Sequence, residues 1–235
     1  MVKAVLFDLD GTLLPMDQDV FVAEYFGLLA KKLAPFGYEP DKLVQAVWHG
    51  TAAMVKNNGV RTNEEVFWDD FTENFGENAR SHKPLFEDFY ARDFQKVQEK
   101  CGYNPKAKKI VKKLLNDGIR VVLATNPIFP AIATESRIRW AGLEPDDFEL
   151  YTTYENIGFS KPNLEYYREI LKRIGLHATD CLMVGNDVDE DMVADQLGMK
   201  VFLLTDCLIN KNNTDISVFP QGNFDDLKAF LKNLK

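Results

Sequence analysis

The chain of 235 residues is poor in the side chains that staple small folds or hold soft metals: three cysteines (Cys101, Cys181, Cys207) and three histidines (His49, His82, His177). No CxxC pair and no Cys/His group at zinc spacing occurs, so a disulfide framework and a zinc module are not expected. Free thiols suit a reducing cytoplasm, the expected location. No apolar run approaches the length of a membrane span. The first one, Val5 to Phe7, is only a strand's length and meets Asp8, so it is not read as a signal peptide. A basic stripe is missing as well. The net charge is −8, and the lysine cluster Lys106 to Lys109 with Lys112 and Lys113 reads as a solvated helix face. Nucleic acid and membrane are therefore not expected partners. Internal repeats and low-complexity tracts are absent, and oligomeric state is not legible.

What is present is enough apolar residue, 46% of the chain, for a full core. Continuous apolar runs stand at Lys3 to Asp10, Ile119 to Asn126, Asp180 to Asp187 and Lys200 to Asp206, with a weaker one at Phe148 to Tyr154. Unbroken rather than alternating runs predict strands covered on both faces, hence a parallel sheet. Helical patterns lie between them: Pro105 to Gly118, Lys161 to Gly175, Asp187 to Gly198 and Phe224 to Leu234. The alternation predicts an α/β fold with a Rossmann-like parallel sheet. From Met16 to Cys101 the pattern changes to helical stretches rich in Phe, with Trp48 and Trp68. The expected organisation is an α/β core over residues 1–15 and 102–235, with an all-helical insert over 16–101. The two tryptophans are expected in the insert's own core.

The polar residues of interest fall at the C-terminal ends of the expected strands, where ligands bind in open α/β sheets. Asp8 and Asp10 follow the first strand, Thr125 and Asn126 the second, and Asn186 and Asp187 a later one. Asp191 comes one helical turn on, and Lys161 precedes a helix. Taken singly these have ordinary readings: Asp10-Gly11 as a turn, Thr125 or Asp187 as a helix cap, Lys161 as a solvated cation. Clustered carboxylates on one rim repel and would be destabilising without a purpose. An all-oxygen acid set points to Mg²⁺, and a lysine and a hydroxyl beside it suit a phosphoryl group. Asp8 could then attack phosphorus, while Asp10, crowded by its neighbour, could carry a proton. His49, Lys56 and Arg61 of the insert are read as exposed or structural rather than as substrate contacts.

The stretches FDLDGTLL, VVLATN, SKP and VGND with the following Asp191 resemble, in order, the four motifs of the haloacid dehalogenase superfamily. The insert is similar to that family's C1-type cap. The resemblance implies a Mg²⁺-dependent phosphatase acting on a small phosphorylated metabolite through an aspartyl-phosphate. It implies Asp8 as nucleophile and metal ligand, and Asp10 as general acid/base that lends its backbone carbonyl to the metal. Thr125, with the backbone after it, would hold the phosphate, beside Asn126, and Lys161 would stabilise Asp8 and the developing charge. The fourth motif reads Gly185-Asn186-Asp187, so either Asn186 or Asp187 could be the remaining ligand. A charged oxygen favours Asp187, with Asn186 and Asp191 in support and Asp189 as a competitor of Asp191. Pro127 lacks an N–H, which removes one possible backbone donor to phosphate. An acid at position 10 favours phosphatase or phosphomutase chemistry over dehalogenation. The alternatives are a phosphomutase with the same first half-reaction and a receiver-like phosphoacceptor module.

Overall fold

The computed structural model describes residues 2–233. Six parallel strands form one sheet: β1 (Ala4–Phe7), β2 (Arg120–Leu123), β3 (Leu150–Tyr151), β4 (Cys181–Gly185), β5 (Lys200–Leu204) and β6 (Gln221–Gly222). Their order is β3-β2-β1-β4-β5-β6. The register pairs Phe7 with Leu123 on one side and with Val184 on the other. The chain builds outward from β1 in one direction, then returns to lay β4 on β1's other flank. The direction of winding reverses between β1 and β4, and in doubly wound sheets the crevice at that reversal is the ligand site. β1 and β4 are buried along their whole length, as their unbroken apolar sequence requires.

Eight α-helices accompany the sheet among the described residues. α1 (Gln18–Leu33), α2 (Pro40–Val55), α3 (Asn63–Phe75) and α4 (Lys83–Asp88) all fall between β1 and β2, followed by α5 (Pro105–Asn116). α6 (Ala131–Trp140), α7 (Leu164–Ile174) and α8 (Phe224–Asn233) complete the set. Their ends follow local chemistry. The Asp17 carboxylate caps α1, Thr62 and Glu65 form a reciprocal capping box on α3, and Asn163 caps α7. Gly175, at φ 65°, ends α7 in the left-handed conformation that glycine adopts without strain.

Residues 16–101 carry no strand of the sheet. The strands entering and leaving this stretch run side by side: Met16 bridges Cys101, and the Gly102 N–H donates to the Pro15 carbonyl at 2.7 Å. The hydrophobic core on one sheet face runs unbroken from Val5, Phe7 and Leu123 into Phe21, Tyr25, Phe71 and Phe89 of the insert. A buried amide ties the insert to the core on its other flank. Asn63 Nδ2 donates to the Pro127 carbonyl and to Ser160 Oγ, each at 3.0 Å, while its Oδ1 accepts from Asn57. The insert is thus pinned to the loops that carry Asn126 and Lys161.

Four features depart from the sequence-based expectations. The helix expected over 187–198 is a run of turns closed by a single 3₁₀ segment, Met192–Leu197. There Asp187 Oδ1 accepts from the Asp189 and Glu190 N–H groups, and Asp191 Oδ2 accepts from the Asp187 N–H. The strand expected over 148–154 shrinks to β3, which pairs only with β2. The stretch after α4 continues as a wide π turn, Phe89–Asp93, and a 3₁₀ run, Phe94–Lys100. Finally, α6 and β6 were not expected. α6 buries Thr134, Ser136 and Arg137 beside Ala133 and Ile138, which erases the polar face that marks a helix in sequence.

Candidate active site

The two aspartates of β1's continuation are aimed by its last hydrogen bonds. Asp8 stays in register, its N–H donating to the Val184 carbonyl at 2.9 Å. The chain then turns: Gly11 N–H donates to the Leu14 carbonyl at 2.8 Å, with Gly11 at φ 84°. A Cβ there would sit 2.4 Å from Asn186 Nδ2, so both conformation and space demand glycine. Asn186 is buried and spends both ends of its amide on structure. Its Oδ1 accepts from Thr12 Oγ1 at 2.8 Å, and its Nδ2 donates to the Cys207 carbonyl at 2.7 Å. It therefore locks the turn after Asp10 to the loop after β4.

Asp8, Asp10, Thr125, Asn126, Asn186, Asp187 and Asp191 all border one cavity of about 250 Å³. Every site residue expected from the sequence except Lys161 thus lines it. Lys161 lies immediately behind, fully buried, its Nζ donating to Asp8 Oδ1 at 2.9 Å and to Asp191 Oδ1 at 2.6 Å. Burial pulls the Lys161 pKa down, but the Asp191 and Asp8 carboxylates outweigh it and hold it well above the ordinary lysine range. Asp191 also accepts from the Asp187 N–H at 3.0 Å, and a Cβ on Gly185 would strike its carboxylate at 2.0 Å. Asp189, the competing candidate, instead pairs with Asn212 at an exposed position. Asp187 Oδ1 accepts from the Asp189 and Glu190 N–H groups, so Asp187 is a turn cap while it also borders the cavity.

Two residues of the site carry no recognisable sequence signal. Arg137, from α6, is completely buried and pairs with Asp10 Oδ2. Its guanidinium also donates to the Ala133 carbonyl and Thr134 Oγ1, and lies 4.4 Å from the Phe129 ring centre. Glu190 borders the cavity and accepts from Asn126 Nδ2 at 3.1 Å. Asp10 Oδ1 and Asn126 Oδ1 are buried without a hydrogen-bond partner. Burial raises the Asp10 pKa and nearby Asp8 adds to the rise, whereas Arg137 opposes it. Of the insert's polar residues, Gln18 borders the cavity, whereas His49 pairs with Asp70, Arg61 with Asp69, and Lys56 borders a separate outer cavity. Trp68 is core as expected, but Trp48 is 51% exposed and stands at the rim of the acid cavity.

The acid cluster has a consequence for stability. Burial, opposed by Lys161 and reinforced by Asp191 and Asp187, pushes Glu190 up to about 8, and burial pushes Asp191 up to about 6. Both groups hold protons more tightly folded than unfolded, so folding binds protons and stability falls as pH climbs from about 4 to about 8. In the absence of divalent cations, Tm is expected to drop by several degrees between pH 5 and pH 8, and Glu190→Gln to flatten part of the drop. A Tm that rises over this window contradicts the arrangement.

A doubly wound parallel sheet with a carboxylate-rich crevice at its winding reversal, beneath a helical insert, defines an α/β enzyme core. The chain belongs to the haloacid dehalogenase-like hydrolases, whose family model matches residues 2–194. It is 34% identical to the glyceraldehyde 3-phosphate phosphatase of Methanocaldococcus jannaschii over 90 residues, which span 37% of this chain and 40% of that protein. It is 26% identical to the phosphoglycolate phosphatase of Yersinia pestis over 204 residues, 87% of this chain and 81% of that one. Its fold superposes on the 2-haloacid dehalogenase of Pseudomonas syringae pv. Tomato DC3000 over the full length of both chains, with a TM-score of 0.64 at 20% identity. Among the described residues, no helix is long and apolar enough to cross a membrane.

Proposed function

We propose that this hydrolase cleaves a small phosphomonoester through an aspartyl-phosphate on Asp8. The observation that carries the reading is the buried Lys161 Nζ bridging Asp8 and Asp191 directly behind an acid-lined cavity. An ammonium there holds Asp8 in place and offsets its charge without occupying the cavity itself. Relatives named as phosphatases over most of this chain's length support the same chemistry.

In the first step an Asp8 oxygen forms a bond to phosphorus while the bond from phosphorus to the alcohol oxygen breaks. That alcohol oxygen takes a proton from Asp10. Arg137 engages Asp10 Oδ2, which leaves the unpartnered Oδ1 as the proton's seat. In the second step water attacks phosphorus, the bond to Asp8 breaks, and Asp10 takes the water's proton. Lys161 offsets charge as it develops at Asp8, and Thr125 and Asn126 border the phosphoryl position.

The donor set fits Mg²⁺. It is all oxygen and strongly acidic. Among the described residues no three acidic, His or Cys side chains converge as a ready cage. That suits an ion that keeps several waters and takes phosphate oxygens. Asp8 and Asp187, with the Asp10 carbonyl, would hold it, and Asp191 and Asn186 would fix their positions. The bound ion would neutralise the acids and polarise the phosphoryl oxygens.

Turnover of p-nitrophenyl phosphate tests the reading. The rate is expected to fall to background in excess EDTA and to return on adding Mg²⁺. Undiminished turnover in EDTA, or one stable phosphorylation per chain without release, overturns it.

A further inference from the structure

The acid cavity adjoins a second space of opposite chemistry. Val22, Trp48, Ile128 and Phe129 border the acid cavity and also a smaller one of about 80 Å³ between the insert and the core. The smaller cavity, the annex, lies immediately beyond these four side chains. Its remaining walls are almost entirely apolar and aromatic, with Phe67 and Trp68 among them, and no charged side chain reaches it. The polar heads of Tyr25 and Tyr90 are spent on one another at 2.9 Å.

The cations are as informative as the aromatic walls. Lys211 is the one cationic side chain bordering the acid cavity among the described residues. Arg137 is buried against Asp10, and Arg61 and Arg80 share Asp69 on the outside of the insert. A leaving-group carboxylate carried on into the annex would leave Lys211 behind and meet no cation there, and desolvating it without a partner would weaken binding. A polyol would bury hydroxyls mostly against aromatic carbon, with Thr51, Tyr154 and the unpartnered Trp68 Nε1 as the few polar groups on the annex walls.

We propose that the alcohol released by this enzyme carries an uncharged apolar group, alkyl or aryl, packed against Trp48 and Phe129 with its end in the annex. The proposal rests on the phosphomonoesterase reading and adds a substrate class to it. An apolar cavity of ~150 Å³ holds a whole benzene molecule. The annex is roughly half that size, and so matches a short branched alkyl end or the edge of a ring.

Alkyl phosphates of increasing length test the proposal, because their leaving alcohols differ little in acidity and the chemical step stays comparable. kcat/KM is expected to rise about two- to fourfold per added methylene, the gain from burying each one, up to four or five carbons, and then to level off. The 3-methylbutyl ester is expected to exceed phosphoglycolate and glycerol 3-phosphate by roughly ten- to sixty-fold, the compounded gain of about three methylenes. Thr51 borders the annex. Thr51→Leu, and separately Thr51→Phe, are expected to bring the plateau to shorter chains in proteins whose Tm shows them folded. A flat response to chain length, a preference for phosphoglycolate or glycerol 3-phosphate, or an unmoved plateau in both folded variants overturns the substrate class, while the phosphatase reading stands. If p-nitrophenyl phosphate and every ester fail to turn over with Mg²⁺, the phosphatase reading falls and the substrate class with it.

Discussion

Asp8→Asn is expected to abolish turnover while leaving the fold intact or slightly more stable. The two side chains are nearly the same size, and the asparagine Oδ1 can still accept from Lys161 at the position Asp8 uses, 2.9 Å from Nζ. What disappears is the oxygen proposed as nucleophile. Removing the nucleophile of a covalent hydrolase costs on the order of 10⁴- to 10⁶-fold in kcat. Stability responds in the opposite sense. Asp8 is one of several acids around a single buried ammonium, and its charge raises the pKa values of Asp10 and Asp191. Removing it relieves that repulsion. Steady-state rates, Tm and trapping of the phosphorylated chain together check the expectation. A variant that keeps a tenth of the wild-type rate, or still accepts a phosphoryl group, removes Asp8 from the role.

Arg137→Met is expected to damage both stability and rate. The guanidinium is fully buried, and its partners are the Asp10 carboxylate, the Ala133 carbonyl, Thr134 Oγ1 and the Phe129 face. Methionine replaces the aliphatic stem and leaves Asp10 without its cation. Breaking a buried pair from one side costs about 3–5 kcal/mol, and the low end applies because Asp10 still touches the cavity. For a chain of this length that corresponds to a drop of roughly 6–12 °C in Tm. The rate should fall too, through kcat more than KM, because Arg137 fixes the carboxylate that handles protons and lies away from the phosphoryl position. Arg137→Lys keeps the charge but not the fork, and is expected to recover part of the stability and less of the rate. If Arg137→Met matches wild type in kcat after correction for the folded fraction, Arg137 is a structural residue only.

These two residues differ sharply in how far the chain announces them. Asp8 is flagged by its position: an apolar run ends in it, a second acid follows at the strand period, and a glycine turn comes next. Thr125, Asp187 and Lys161 are flagged the same way, at strand ends or just before a helix, because sheet topology sends every strand's C-terminal end to one rim. Arg137 has no such flag. It sits mid-helix in a segment buried on several sides, so no amphipathic stripe marks even the helix, and nothing local says that its partner lies 127 positions away. Glu190 lacks a flag for a related reason. It stands among Asp187, Asp189 and Asp191, and an acidic stretch reads as a favourable helix start until the side chains are seen turning back onto the backbone.

The choice between Asn186 and Asp187 shows the same boundary. Chemistry alone prefers a charged oxygen for a hard cation. The fold adds that Asn186 borders the cavity while its two amide ends bond Thr12 and Cys207, and that Asp187 borders it while its Oδ1 caps a turn. Trp48 marks the opposite case, where composition misled. A tryptophan in a Phe-rich helical stretch belongs in a core on average, yet this one stands at the rim of the acid cavity.

The sequence by itself determined the α/β core, the helical insert and the rim of acids, because strand periodicity, strand-end position and turn chemistry are properties of neighbouring residues. Only the tertiary structure decided which charges meet: Lys161 between Asp8 and Asp191, Arg137 against Asp10, and an aromatic annex beside the acids. Pairing and cavity shape depend on contacts between residues far apart in the chain, which the order of residues does not display. Burial then sets how strongly each of those charges acts.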